Sequence, residues 1–251
     1  MIEIIPISKR EPWQVDTDKR FYIENRDNLD GIAAKYNWAI ENIILKSDDD
    51  VICFRHADTE FRTQRDIIES QVRQQWENGA GVCGVIGTIA LEGSCQWWTP
   101  NRHINGSGYI IQGGVRPKVD DKGKPIMNDA GQPIMEKYEY PMADHPGVHD
   151  YLATVDGCCI WVNRKLFEEG VRFDTSLKGY HFYDTDICCE ALSRKYKVST
   201  VNVIVKHDSV GAMPEGFDAL RKVFFEKWNQ RIDTWPITRL TRFKDDKRGK
   251  N

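Results

Sequence analysis

Short apolar segments alternate with amphipathic segments along most of the chain. Buried β-strands are predicted where apolar residues run continuously, at 2–7, 51–54, 82–90 and 198–205. Helices are predicted where apolar residues recur about every 3.6 positions, at 30–46, 63–76, 163–169, 184–195 and 217–228. Thr63, with Asp66 three residues later, predicts the cap of the second helix, whose predicted apolar face is Ile67, Ile68, Val72 and Trp76. The alternation is typical of an α/β domain whose sheet is covered by helices.

Residues 115–143 interrupt this alternation. A short unit occurs twice there, at 121–127 and at 129–135, and each copy carries Asp-x-Gly at the same place. Glycine at that place favours a tight turn, because it adopts a positive φ without strain. We therefore predict a hairpin-like insertion over one edge of the domain.

Composition and charge divide the chain. Its 251 residues are 40% hydrophobic, which is enough for one large packed domain, predicted at 1–220. The net charge of −3 conceals a tail at 221–251 with a net charge of +6, on a body of −9. The tail is predicted to begin with a helix. Its charge suits an anionic partner, although a solvated terminus also explains it.

The same composition indicates a compartment and excludes some classes. No apolar run is long enough to span a bilayer, and no secretory signal precedes the first strand. The seven cysteines are odd in number and form no C-x-x-C pair, which favours reduced thiols in a cytoplasmic protein (in the host cytoplasm, if the chain is viral). The mildly acidic balance argues against a protein coated in positive charge for nucleic acid.

Three groups of polar residues follow or flank predicted strands, where parallel sheets hold their ligands. Asp58 follows the strand at 51–54, where a carboxylate holds a divalent cation or caps a turn. Asp184 and Asp186 begin a helix. Because they are two residues apart, their side chains point in different directions, so that one can face a cleft while the other caps the helix. His207 follows the strand at 198–205, as a metal ligand or as a structural residue.

Other catalytic templates are missing from the sequence. It contains no G-x-x-x-x-G-K-[ST] and no G-x-S-x-G motif. His145 and His149 have the spacing of a zinc-binding helix, but Pro146 and Gly147 between them prevent that helix.

Six segments together resemble a family 2-type glycosyltransferase with the GT-A fold, in the branch with an H-D-D-V metal motif. In chain order they are DGIAAKYNWAI, VICFRHADTEF, GVIGTIALEGSCQWW, VDGCCIWVNRKLF, RFDTSLKGYHFYDTDICCEALSRKYKV and VKHDSVG. The resemblance implies a nucleotide-binding mixed sheet flanked by helices. It also implies transfer of a hexose or pentose from a nucleotide-sugar, expected to be a UDP-sugar, to an acceptor hydroxyl with Mn²⁺ or Mg²⁺.

Site residues follow from the resemblance one by one. Asp58 matches the last acid of the metal motif, and His56 and Ala57 replace the residues before it. With one carboxylate missing, His207, which matches a recurrent family histidine, becomes the second protein ligand, and His56 joins the metal group. Asp184 matches the general base of inverting members. The donor-side residues are expected to be Ser8, Glu24, Asn25, Asn28, Gly31, Tyr36, Ala57, Asp156 and Gly157, and the acceptor-side residues Trp97, Trp98, His181, Tyr183 and Asp186.

The acceptor stays open at this point. A saccharide, a lipid-linked sugar, a protein or a hydroxylated DNA base all fit, and the basic tail keeps the last in view, as in compact viral glycosyltransferases. Two other functions also remain: a non-catalytic sugar-binding or nucleotide-binding module on a transferase scaffold, and a nucleotidyltransferase.

Overall fold

The computed structural model of the protein describes residues 1–7, 19–24, 31–91, 95, 106–209 and 216–228. The strands are β1 (Ile2–Ile7), β2 (Arg20–Glu24), β3 (Val51–Arg55), β4 (Thr59–Phe61), β5 (Ala80–Gly84), β6 (Ile86–Thr88), β7 (Gly106–Pro117), β8 (Met135–Asp144), β9 (Thr154–Val155), β10 (Cys159–Asn163), β11 (Lys197–Thr200) and β12 (Val205–His207). The helices are α1 (Gly31–Asn42), α2 (Arg65–Glu77), α3 (Arg164–Glu168), α4 (Tyr183–Ser193) and α5 (Phe217–Trp228), with one 3-10 turn at Ile44–Lys46.

The strands form two six-stranded sheets, and the first sheet has the strand order β11-β5-β10-β3-β1-β2. Strand β10 runs antiparallel to both of its neighbours, and the other pairings are parallel. Successive side chains of β3 show how both faces of the first sheet are covered. Ile52 and Phe54 pack with α1, α3 and α4, whereas Val51 and Cys53 pack with α2 and with the second sheet. This two-sided burial explains why the strand is continuously apolar.

The second sheet has the order β4-β12-β7-β6-β9, and β8 pairs with the other side of β7. Strands β7 and β8 form the predicted hairpin, and their antiparallel pairing extends from Gly108 and Asp144 out to Pro117 and Met135. Beyond that pair the chain makes two turns at Gly123 and Gly131, both with positive φ.

Apart from the passage through α2 from β4 to β5, the chain crosses between the two sheets at four places, which together are termed the seam. The crossings lie at 56–58 between β3 and β4, at residue 85 between β5 and β6, at 156–158 between β9 and β10, and at 201–204 between β11 and β12. Three of them leave the carboxyl ends of first-sheet strands. The seam therefore brings together segments that are far apart in sequence.

Two predicted strands were wrong because they cross the seam. The run at 82–90 is divided between β5 and β6, and the run at 198–205 between β11 and β12. Both halves of each run are apolar because both sheets contribute to the same core. At Gly87 the backbone of β9 comes so close that a Cβ would lie 2.2 Å from the carbonyl oxygen of Thr154.

The start of the second helix was also predicted incorrectly. Helix α2 begins at Arg65, and its N-cap residue is Gln64, which makes no side-chain capping bond. The Thr63 hydroxyl instead accepts a hydrogen bond from the Ile204 N–H, so it joins this segment to the seam. Ile67 is exposed, and Gln75 takes its place on the buried face.

The broader predictions were confirmed. The protein is an α/β structure with a mixed sheet flanked by helices and a hairpin insertion. All seven cysteines are free and buried. Helix α5 starts at Phe217, so it includes the position at which the domain is predicted to end and the tail to begin, residue 220. Among the described residues, no helix is both long enough and apolar enough to cross a membrane.

Candidate metal and catalytic site

Three side chains that can bind a metal meet at the seam. His56, Asp58 and His207 each offer one ligand atom, and these atoms lie within 4.8 Å of one another. His56 and Asp58 belong to the crossing after β3, whereas His207 ends β12. The crossing and β12 are adjacent because β4 pairs with β12, with Thr59 opposite His207.

Backbone hydrogen bonds hold the crossing in place. The His56 N–H donates to the carbonyl of Cys158 at 2.9 Å, and the Asp208 N–H donates to the carbonyl of Asp58 at 2.9 Å. The His56 carbonyl accepts the hydroxyl of Thr59 at 2.7 Å. Each ligand-bearing segment is thus bonded to a neighbouring strand or crossing.

An ion pair beneath the crossing was missed by the sequence analysis. Glu3 is only 1% exposed, and it accepts a 2.8 Å hydrogen bond from Arg55 Nε. Arg55 in turn donates through Nη1 to the carbonyl of Thr59 at 2.9 Å. A glutamate inside the apolar run at 2–7 was the signal, because a buried carboxylate requires a cationic partner.

The electrostatics of the three side chains suit a cation. Burial, and to a smaller extent His207, lower the pKa of His56, so its imidazole is neutral near pH 7 and has a lone pair to offer. His207 Nε2 is buried and has no hydrogen-bond partner in the described part of the chain, and Asp58 Oδ1 lies 3.6 Å away from it. A buried nitrogen left in this way is unfavourable unless something binds it. Two imidazoles and one carboxylate form a donor set that fits Mn²⁺, and the set accepts Mg²⁺ less readily.

Asp184 lies at the start of α4, next to the crossing at 156–158. Its carboxylate accepts the Gly157 N–H and the Thr185 N–H, each at 2.8 Å. Asp156, whose own carboxylate accepts the Cys158 N–H at 2.7 Å, adds negative charge nearby. Burial and then Asp156 raise the pKa of Asp184 to about 7. A carboxylate with such a pKa exchanges protons readily near neutral pH.

Asp186 faces away from the seam. It is fully buried and accepts the indole N–H of Trp228 at 2.7 Å and the ammonium of Lys227 at 2.8 Å. Burial raises the pKa of Asp186 to about 6, although both partners oppose the rise. Its expected place on the acceptor side does not match this position, because α5 covers it.

Two tyrosines expected to touch substrates lie in the core instead. Tyr36 is fully buried against Phe54 and Phe173, with ring centroids 4.6 and 5.1 Å away. Tyr183 is 1% exposed, and its hydroxyl contacts His56 and the carbonyl of Gly157. Both residues were expected at the site because they lie in segments that resemble the glycosyltransferase family. Such a resemblance does not show whether an aromatic side chain lines a pocket or packs in the core beneath it.

The other expected site residues are dispersed among several elements. Glu24 ends β2 and Gly31 begins α1, whereas Ala57 is exposed within the metal crossing. His181 packs edge-on against Phe217 at 5.1 Å. Five expected residues lie outside the described part of the chain: Ser8, Asn25, Asn28, Trp97 and Trp98.

The basic tail is described only as far as Trp228. There, Arg221 pairs with Asp218, Lys222 lies near Glu226, and Lys227 bridges carboxylates on the protein interior. Most of the positive charge of the tail lies at 229–251, outside the described residues.

Comparison with known proteins gives remote likenesses only. No family model and no curated protein matches the chain. A solved structure of A197 from STIV is 10% identical, with a TM-score of 0.42 over 85% of this chain and 97% of that one. A structure of GalNAc-T7 with UDP, GalNAc and Mn²⁺ is 11% identical, with a TM-score of 0.47 over 88% of this chain and 44% of that one.

Proposed function

We propose that the protein is a metal-dependent glycosyltransferase of the GT-A type that moves a sugar from a nucleotide-sugar, expected to be a UDP-sugar, to an acceptor hydroxyl. The proposal rests on one observation above all: the His56, Asp58 and His207 group and the carboxylate of Asp184 meet at one seam. A cation site beside a carboxylate whose pKa is near 7 supplies the two functions that this transfer needs. One stabilises the leaving diphosphate, and the other removes a proton.

In the proposed reaction, Asp184 accepts the proton of the acceptor hydroxyl as that oxygen attacks the anomeric carbon. The bond from the anomeric carbon to the diphosphate breaks on the opposite face, so the configuration is inverted. His56, Asp58 and His207 would hold the cation, which when bound would stabilise the negative charge on the leaving diphosphate. The Gly157 and Thr185 N–H groups orient the Asp184 carboxylate and leave one lone pair on each oxygen for the acceptor.

The donor is expected to lie along the carboxyl edge of the first sheet. Strands β1, β2 and β3 are parallel, so Ile7, Glu24 and Arg55 all end at that edge. Ligands of open α/β sheets bind outside the carboxyl ends of strands. The metal crossing after β3 would then face the diphosphate, with the nucleoside toward β2 and α1.

A thermal-shift panel of nucleotide-sugars, with and without Mn²⁺, tests the donor and the metal together. We expect one nucleotide-sugar to raise Tm only when Mn²⁺ is present, and His207→Ala to abolish that rise. Asp208→Asn is the matched control, because Asp208 pairs with Lys206 and is not one of the three ligands. A Tm rise that survives His207→Ala would contradict the proposed metal group.

Release of free nucleotide from the donor separates an enzyme from a binding module. Transferases hydrolyse their donor slowly when no acceptor is present, so we expect nucleoside diphosphate to accumulate with Mn²⁺. Release of pyrophosphate from a nucleoside triphosphate would favour a nucleotidyltransferase, whereas binding without any release would favour the module.

The acceptor can be tested through the basic tail. If it is hydroxylated DNA, binding should weaken steeply with salt, because cationic groups displace counterions from phosphates. Removing residues 229–251 should then reduce DNA retention at low salt. Equal retention of the full and shortened chains would favour a saccharide or another acceptor that is not DNA.

A further inference from the structure

The hydroxyl of Tyr183 lies between the metal crossing and the crossing at 156–158. It is 2.8 Å from the carbonyl oxygen of Gly157 and 2.8 Å from His56 Nε2. The tyrosine ring is fixed by packing against Tyr36 and Phe173, with centroids 5.7 and 6.2 Å away. Since the side chain is 1% exposed, water does not compete for these two bonds.

The two bonds determine where the protons lie. A carbonyl oxygen can only accept, so the single hydroxyl proton of Tyr183 goes to Gly157. The bond to His56 must then be donated by the imidazole, which requires a proton on Nε2. In neutral histidine the other nitrogen, Nδ1, then carries the free lone pair.

We propose that Tyr183 is a positioning residue, which holds His56 in the Nε2–H tautomer and so makes Nδ1 the metal-binding atom. This inference depends on the proposed function in one respect, because it takes His56 to be a metal ligand. Hydrogen bonds to the second nitrogen of a ligating histidine commonly orient the ring and select the tautomer.

Gly157 connects this arrangement to Asp184. Its carbonyl accepts from Tyr183, and its N–H donates to Asp184, so two successive residues of α4 bind one glycine. A Cβ at this position would lie 2.3 Å from the Tyr183 hydroxyl oxygen. Only glycine allows the hydroxyl so close. Gly157 therefore helps to position both His56, through Tyr183, and the carboxylate of Asp184.

The tautomer can be measured directly in the metal-free protein. In ¹⁵N-histidine-labelled protein at about pH 8, two-bond nitrogen–proton correlations distinguish Nε2–H from Nδ1–H. The signals of His56 are identified by their loss in His56→Asn. We expect His56 to be protonated on Nε2. An Nδ1–H tautomer in the unmodified protein would overturn the inference without any tyrosine variant.

Tyr183→Phe removes the hydroxyl alone. We expect His56 to lose its single tautomer and Mn²⁺ affinity, measured by calorimetry, to fall about 10- to 100-fold, as is usual when such a partner is lost. The matched control is Tyr36→Phe, because the Tyr36 hydroxyl is equally buried but has no hydrogen-bond partner among the described residues. We expect that control to change neither the tautomer nor the affinity.

Each failure has its own signature. If Tyr183→Phe leaves the tautomer and the Mn²⁺ affinity unchanged, the inference is wrong while the proposed function stands. If the unmodified protein has the Nε2–H tautomer but binds neither Mn²⁺ nor any nucleotide-sugar, the proposed function fails and the tautomer assignment stands.

Discussion

Asp184 and Asp186 lie two residues apart on α4 and face two different regions of the molecule. Asp184 faces the seam, where it accepts backbone N–H groups and has another carboxylate, Asp156, as a neighbour. Asp186 faces the interface with α5, where Lys227 and Trp228 bind it. Within the described part of the chain, no lysine or arginine pairs with Asp184.

The difference shows how the same residue type acquires two roles. The carboxyl group of Asp186 has a pKa of about 6, because its cationic partner opposes the effect of burial, and it joins two helices. A carboxylate that has only N–H donors and a negative neighbour instead holds its proton up to a pKa of about 7. The first arrangement supports the fold, and the second is suited to proton transfer.

The largest expected effect comes from Asp184→Asn. The amide has almost the same shape but accepts no proton, so transfer should fall about 10²- to 10⁴-fold. Donor binding, measured as the Mn²⁺-dependent rise in Tm, should persist. Asp186→Asn is the comparison variant and should reduce stability more than turnover. If the two variants lost turnover equally, the division of roles would be wrong.

Lys227→Met tests the other region. Lys227 Nζ lies 2.8 Å from Asp186, 3.0 Å from Asp174 and 3.3 Å from Glu190. Its removal leaves a buried carboxylate without this cation, and the free energy of unfolding should fall by about 3–5 kcal/mol. Urea denaturation measures this change. An unchanged midpoint would show that α5 is held by its apolar residues alone.

The pH dependence of stability should differ between the unmodified protein and Asp184→Asn. Because folding raises the pKa of Asp184 from an ordinary value to about 7, the carboxyl group binds its proton more tightly in the folded state than in the unfolded state. That stability is complete below the unfolded pKa and is lost as pH rises through 7. Between pH 5 and 7 the protein should lose about 2 kcal/mol more than the variant. Parallel stability curves would contradict the raised pKa.

The smallest effect is expected on the outer face of α5. Lys222 lies 3.8 Å from Glu226, and both side chains are well exposed. Lys222→Ala should change the free energy of unfolding by less than about 0.5 kcal/mol, the usual value for an exposed pair. It is therefore the matched control for Lys227→Met. A loss similar to that of Lys227→Met would mean that α5 as a whole, rather than the buried pair, is the sensitive element.

Prediction from the sequence succeeded where the local pattern carries the information. Strand β1 and the core of β3 follow from their apolar runs, and the turns of the hairpin from two Asp-x-Gly units. It failed for the run at 82–90, since an apolar segment does not show that its two halves belong to different sheets.

The same division holds for the candidate site. The sequence by itself determined that Asp58, His207 and Asp184 each lie at or next to the end of a regular element, because capping and strand-end patterns are local. The family resemblance had grouped His56 with His207, 151 positions away, and the tertiary structure shows how the seam brings their side chains together. The tertiary structure also decided that Asp184 faces this seam while Asp186 faces α5. Which groups surround a carboxylate depends on how helices and sheets pack, and no local pattern encodes that packing.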